Sequence, residues 1–205
     1  MLPKRTLNAA LLLVLLAATI ALGLARSAPV ASQDAGSPAA GQDAAAKIEN
    51  AMSAAPSSIA EAATILDNEL DAAGKFVVLR EGSNGWSCFP DVPSTPGNDP
   101  SCNDQTWLDW TYAYVANTEP TVTVPGLAYM LQGGTDASNT DPFATEPAAG
   151  EEWMTSPPHV MILLPGEIDQ TVFSTDHDSG GPFVMWAGTP YEHIMMPVAE
   201  HEHES

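Results

Sequence analysis

The residues of this chain best suited to chemistry gather late in it. All five histidines fall from position 159 onward: His159, His177, His193, His201 and His203. His177 sits between Asp176 and Asp178, and imidazole flanked by carboxylates suits zinc or another divalent ion. Met161, Met185, Met195 and Met196 are close in sequence and would suit copper as Cu(I). A metal site would therefore draw on His159, Asp176, His177, Asp178 and His193. Two features weigh against it. No H-x-H or H-x-x-x-H pair lies on an expected helix or strand, and methionines in apolar runs usually fill gaps in a core. His201-Glu202-His203 would chelate only weakly from a polar tail.

Two further groups invite a chemical reading. Asp178-Ser179-Gly180-Gly181-Pro182 resembles the segment that carries the nucleophile of chymotrypsin-like proteases. That chemistry needs a histidine to take the serine proton and an aspartate to orient it. Here no histidine precedes His159, His177 stands where those proteases have glycine, and too little chain follows Ser179 to complete a second barrel. The segment reads better as a Gly-Gly turn entering a strand. In the loop 133–142, Asp136, Asn139 and Asp141, with Ser138, are hard oxygen donors suited to calcium. The spacing is not that of an EF-hand, which needs Gly at its sixth position and Glu at its twelfth. Asx turns that bind their own backbone are the alternative. Glu151-Glu152 reads as surface. No nucleophile is paired with a base and no phosphate loop is present, so no catalytic residue is nominated.

The elements that must position these residues follow from the pattern. Lys47–Met52 places Ile48, Ala51 and Met52 on one helical face. A second short helix is expected after Pro56, with Ser58 and Glu61 spaced as a capping box. Lys75–Glu81 and Trp86–Phe89 are β-rich and flank Asn84-Gly85, a strong hairpin signal. A longer helix is expected over 104–116 with Asn103 as its N-cap. Its aromatic stripe of Trp107, Trp110 and Tyr114 is either a ligand platform or, as favoured by the spacing, a face that packs on a sheet. Gly126–Leu131, Val160–Leu164 and Pro182–Ala187 are apolar without alternation, which places them at the centre of a sheet covered on both faces. A shorter strand is expected at 193–198, and long loops, chiefly 132–158, join these runs. The fold class is α+β, a single compact domain with a mostly antiparallel sheet.

The ends and the charge set the context. Lys4 and Arg5 precede an apolar run, Ala9–Ala25, of 17 residues, followed by small residues. This is the pattern of a cleaved signal peptide, 1–27, and is shorter than the roughly 20 residues of a membrane-spanning helix. Residues 28–46 then read as a flexible leader, 47–198 as one domain and 199–205 as a polar tail. Removing the signal leaves Lys47, Lys75 and Arg80 against 26 acidic residues, a net charge of −23. Such a chain repels nucleic acid and anionic membrane surfaces, and among partners it favours cations. Cys88 and Cys102 are the only cysteines. In an oxidising compartment they pair, closing a loop stiffened by Pro90, Pro93, Pro96 and Pro100.

Five segments carry a resemblance: KIENAMSAAPSSIAEAATIL, LREGSNGWSCFPDVPSTPGNDPSC, GLAYMLQGGTDASNTDPFA, PPHVMILLPG and MWAGTPYEHIMMPV. Over about residues 46–198 the chain resembles a widespread group of exported bacterial proteins to which no activity is assigned. The resemblance implies a periplasmic or extracellular setting and carries over no site residue. The expected function is a non-catalytic binding or scaffolding module, its partner a small molecule, a cation or an envelope component. The alternative is a metal carrier or metal-dependent hydrolase using the late His/Asp cluster, with zinc, copper or calcium as the candidate ions.

Overall fold

The computed structural model describes residues 38–199, and their side chains from position 43. The expected signal peptide, most of the leader, and His201-Glu202-His203 lie outside the described residues. The described chain belongs to one compact unit. No described helix is long and apolar enough to cross a membrane.

The architecture is α+β. Eight strands form one sheet in the order β2-β1-β3-β4-β5-β8-β10-β9. They are β1 Thr64–Leu70, β2 Phe76–Arg80, β3 Ser87–Phe89, β4 Ser101–Asn103, β5 Gly126–Met130, β8 His159–Leu163, β9 Phe183–Met185 and β10 His193–Pro197. All neighbours are antiparallel except β1 and β3. β6 Gly134–Asp136 and β7 Met154–Ser156 form a separate two-stranded sheet at the ends of the long loop.

Three helices cover the main sheet: α1 Pro38–Met52, α2 Ser57–Ala60 and α3 Gln105–Val115. α1 begins at Pro38 rather than Lys47, in a stretch whose alanines are strong helix formers. Ala51 on its inner face, with Ala54 and Ala55 in the turn that follows it, packs against Ile65, Cys88 and Cys102. Lys47 on the same helix holds the buried Asp67 of β1, Nζ to Oδ2 at 2.8 Å. α3 lies against the opposite face. There its indoles meet Ala128, Met161, Leu163, Met185 and Met195. The aromatic stripe packs on the sheet, as its spacing favours.

Several expectations need correction. The cap of α3 is Asp104, whose carboxylate accepts from the Trp107 N–H at 2.9 Å, and not Asn103. Asn103 is already committed to β4, opposite Ala128. The Asn84-Gly85 turn does not close a hairpin, because β1 lies between β2 and β3. The turn is tied to the start of β1 instead: Ser83 N–H donates to Ala62 O, and Asn84 Nδ2 to Ile59 O. Ser58 and Glu61 form no capping box, since α2 starts at Ser57 and Glu61 already closes it. β9 is an edge strand, and β10 takes the inner position beside β8. β9 lacks alternation because it is covered on both sides: Val184 packs with Ile168 and Ile194, while Phe183 and Met185 face the α3 side. Ser174 bridges its outer edge.

The Cys88–Cys102 disulfide is present, across directly opposed positions of β3 and β4. Crosslinking a loop of about 15 residues removes roughly 3 kcal/mol of unfolded-state entropy. For a chain of this size, reduction is then expected to lower the Tm by roughly 6–12 °C. Calorimetry with and without reductant checks this, and an unchanged Tm would count against a structural bridge.

Candidate functional site

On the α3 face of the sheet, the packing stops short and leaves a cleft of about 520 Å³. α3 supplies one wall through Trp107, Trp110 and Tyr114, and the bend after β9 supplies Trp186. The floor is the sheet itself, with Met161, Met185, Met195 and His193. The disulfide loop contributes Asp99, and the long loop contributes Asp136 and Trp153. The two loops interlock at Gly97, where a Cβ would collide with the Thr135 side chain. Only glycine lets Asp99 approach β6 this closely.

The aromatic wall is ordered. Trp110, Tyr114 and Trp186 lie almost parallel: Trp110 to Tyr114 is 5.3 Å between centroids at 4°, and Tyr114 to Trp186 is 5.7 Å at 5°. Phe143 continues the stack on Tyr114 at 5.4 Å. Tyr191 stands edge-on to Trp110, Tyr114 and Phe143. Offset and edge-to-face contacts are the favourable aromatic geometries. Hydrogen bonds fix the rings: Tyr114 OH donates to Pro142 O at 2.6 Å, Tyr191 OH to Thr118 O at 2.9 Å, and Trp186 Nε1 to Ser138 O at 2.9 Å. Trp186 also sits at φ 54°, in the left-handed region that a bulky residue rarely adopts. Strain of this kind costs of order 1–3 kcal/mol and clusters at functional sites.

The titratable groups of the cleft are few and displaced from their ordinary chemistry. Burial pushes the Asp136 carboxyl up to about 7, and the Asp99 charge pushes the same way. Asp99 is itself raised by burial, tempered by the hydroxyls of Thr95 and Thr135. Tyr114 rises to about 12, chiefly through burial and then through the Asp136 charge. Burial holds His193 near 4. Its Nδ1 lies 3.0 Å from the Tyr191 carbonyl, which only accepts, so Nδ1 carries a proton. Asn103 Oδ1, Trp107 Nε1 and Trp110 Nε1 are buried without a partner in the protein. Buried polar atoms are rarely left so, and each such group calls for an explanation.

The sequence-nominated residues are divided by the fold. Asp176, His177 and Asp178 come together, their ligating atoms all within 4.8 Å of one another. This group could hold a metal ion. It lies on a single 3₁₀ turn, where Asp176 Oδ1 accepts from the Asp178 N–H and His177 Nε2 is 3.3 Å from Asp178 Oδ1. His159 and His193 are not in the group. Both are buried on the α3 face of the sheet, on β8 and β10. Of the calcium-suited residues, Asp136 lines the cleft, Asn139 Nδ2 donates to Thr175 O, and Asp141 Oδ1 accepts from the Phe143 N–H. Ser179 lies in the turn before β9, its hydroxyl 3.4 Å from the Gly181 N–H.

Asp99, Trp153 and Trp186 carry no signal in the sequence that marks them as partners. The Trp107–Trp110–Tyr114 stripe did offer one, because a face that packs on a sheet can also wall a cleft at its margin. No protein-family model matches the chain, and no curated protein or solved structure matches it significantly.

Proposed function

We propose that this protein is an exported, non-catalytic binding module that takes a small organic ligand into the aromatic cleft beside α3. The observation that carries the reading is the cleft itself. Its volume falls within the 300–1,000 Å³ typical of ligand pockets, and its walls are apolar and aromatic with a few polar groups. A carboxyl moved to near neutrality by burial in a cleft is also a mark of functional sites. Export is supported by the disulfide, by the signal-like N-terminus and by the resemblance to exported bacterial proteins.

The test is a thermal-shift panel of sugars, aromatic acids, amines and neutral alcohols, run on the protein and on Ala144→Trp. Ala144 lines the cleft and is only half-buried, so a larger ring there plugs the cavity without entering the core. At least one class is expected to raise the Tm saturably, and the plugged variant should lose that rise while keeping its own Tm within a few degrees. A panel with no saturable ligand, or equal binding by Ala144→Trp, would overturn the reading.

A second reading, a metal carrier or metal-dependent hydrolase, rests on Asp176, His177 and Asp178. It ranks below the first because the three are consecutive and exposed or half-exposed, and exposed acidic groups are common without an ion. Stoichiometric zinc, copper or calcium in native mass spectra, lost in His177→Ala, would promote it.

A further inference from the structure

The charges around the cleft are all of one sign. We infer that the cleft selects organic ammonium ions, with Asp136 and Asp99 as counter-charge and the rings of Trp110, Tyr114 and Trp186 as the wall. This rests on the preceding reading that the cleft holds a ligand.

The first support is the absence of any competing cation. No lysine or arginine lines the cleft. The three basic side chains among the described residues are committed elsewhere. Lys47 pairs with Asp67, Arg80 donates to the carbonyls of Ala60 and Ala63, and Lys75 sits 4.8 Å over the Tyr112 ring. Burial disfavours a positive charge on His193, the one imidazole in the cleft. The carboxyls of Asp99 and Asp136 therefore face a cavity with nothing positive in it.

The second support is the wall. The faces of Trp110, Tyr114, Trp186 and Phe143 are spent on one another, so the wall acts by bounding an apolar cavity, in which the attraction between a carboxylate and a cation is screened less than in water. The wall is also held in place before any ligand arrives, by the stacking and by the hydrogen bonds of Tyr114 and Trp186. A preorganised site loses less on binding. The third support is the net charge, which draws cations toward the surface and repels anions. An anionic or phosphorylated ligand would have to enter against both carboxylates. A neutral ligand would leave both carboxylates without a counter-charge.

The test compares choline with its neutral carbon analogue, in which carbon replaces the nitrogen and the shape is kept. Binding to the protein is measured by calorimetry at pH 8, where Asp136 is ionised. Choline is expected to bind one site at least roughly tenfold more tightly than the analogue. Asp136→Asn should cut that preference at least several-fold, with Asp99 alone left as counter-charge. The same substitution removes a buried charge and so should raise the Tm at pH 8, which separates lost binding from lost folding. Equal affinities for the two compounds, or a preference undiminished in Asp136→Asn, overturn the inference. So does the binding of neither, in which case the wider panel with Ala144→Trp still decides whether the cleft binds at all.

Discussion

Between pH 6.5 and pH 4, His159 and His193 are expected each to withdraw about 3 kcal/mol of stability. Both rings are held near 4 in the folded protein, with burial the main cause, against 6.5 in an unfolded chain. The unfolded state therefore binds protons first as the pH falls. The stabilising contribution of the neutral rings is complete above 6.5 and is lost as the pH drops toward 4. Nδ1 of each ring faces a carbonyl, that of Pro157 at 2.7 Å and that of Tyr191 at 3.0 Å, a contact that by itself favours the protonated ring. Burial outweighs that contact and keeps each ring neutral, with its one proton on Nδ1. Asp136 and Asp99 act in the opposite direction. Their folded-state affinities for protons are raised, so acidification below about 7 relieves a cost they impose at higher pH. The histidine effect is therefore read most clearly in Asp136→Asn. Urea unfolding of that variant should show a midpoint that falls from pH 7 to pH 4.5. A flat or rising midpoint would mean that the two imidazoles are not buried as neutral rings.

Trp110→Ala is expected to cost about 3–5 kcal/mol, the range for removing a large aromatic side chain from a core. Trp110 is 6% exposed and meets more rings than its neighbours on α3. It stacks on Tyr114 and Trp186, tilts against Trp107 and takes edge contacts from Tyr191 and His193. Against a total of about 5–15 kcal/mol, such a loss leaves the fold marginal. Trp110→Phe keeps an aromatic face and should lose markedly less. Urea titrations of both variants check this, and a cost under about 1 kcal/mol for Trp110→Ala would mean that the stack does not hold α3 to the sheet.

What the sequence discloses about this fold follows from how local each signal is. The three continuous apolar runs and the α3 periodicity are local, and they mark real elements. The order of strands is not local. β1 carries Asp67, Asn68 and Glu69 in its second half and exposes that end, so no apolar run betrays it. Its insertion between β2 and β3 then displaces the hairpin that Asn84-Gly85 suggests. The same limit governs the cleft. Trp107, Trp110 and Tyr114 reveal themselves by spacing on one helix. Asp99 lies in the disulfide loop and Asp136 on β6, and their meeting depends on the crossing at Gly97 and Thr135, which no spacing records. The late histidines show the converse. Their sequence proximity suggests one site, yet His159 and His193 are drawn into the sheet by its alternation while His177 stays on an outer turn.

The five tryptophans offer the most direct test of the central claim, that an organic ammonium ion enters beside α3. Trp107, Trp110, Trp153 and Trp186 line the cleft, whereas Trp86 packs against Tyr129 on the opposite face of the sheet. Titrating choline into the ¹⁵N-labelled protein should shift the indole Nε1 signals of the four lining residues with one common saturating curve, and leave Trp86 in place. Four unmoved lining signals, or a shift shared equally by Trp86, would contradict it.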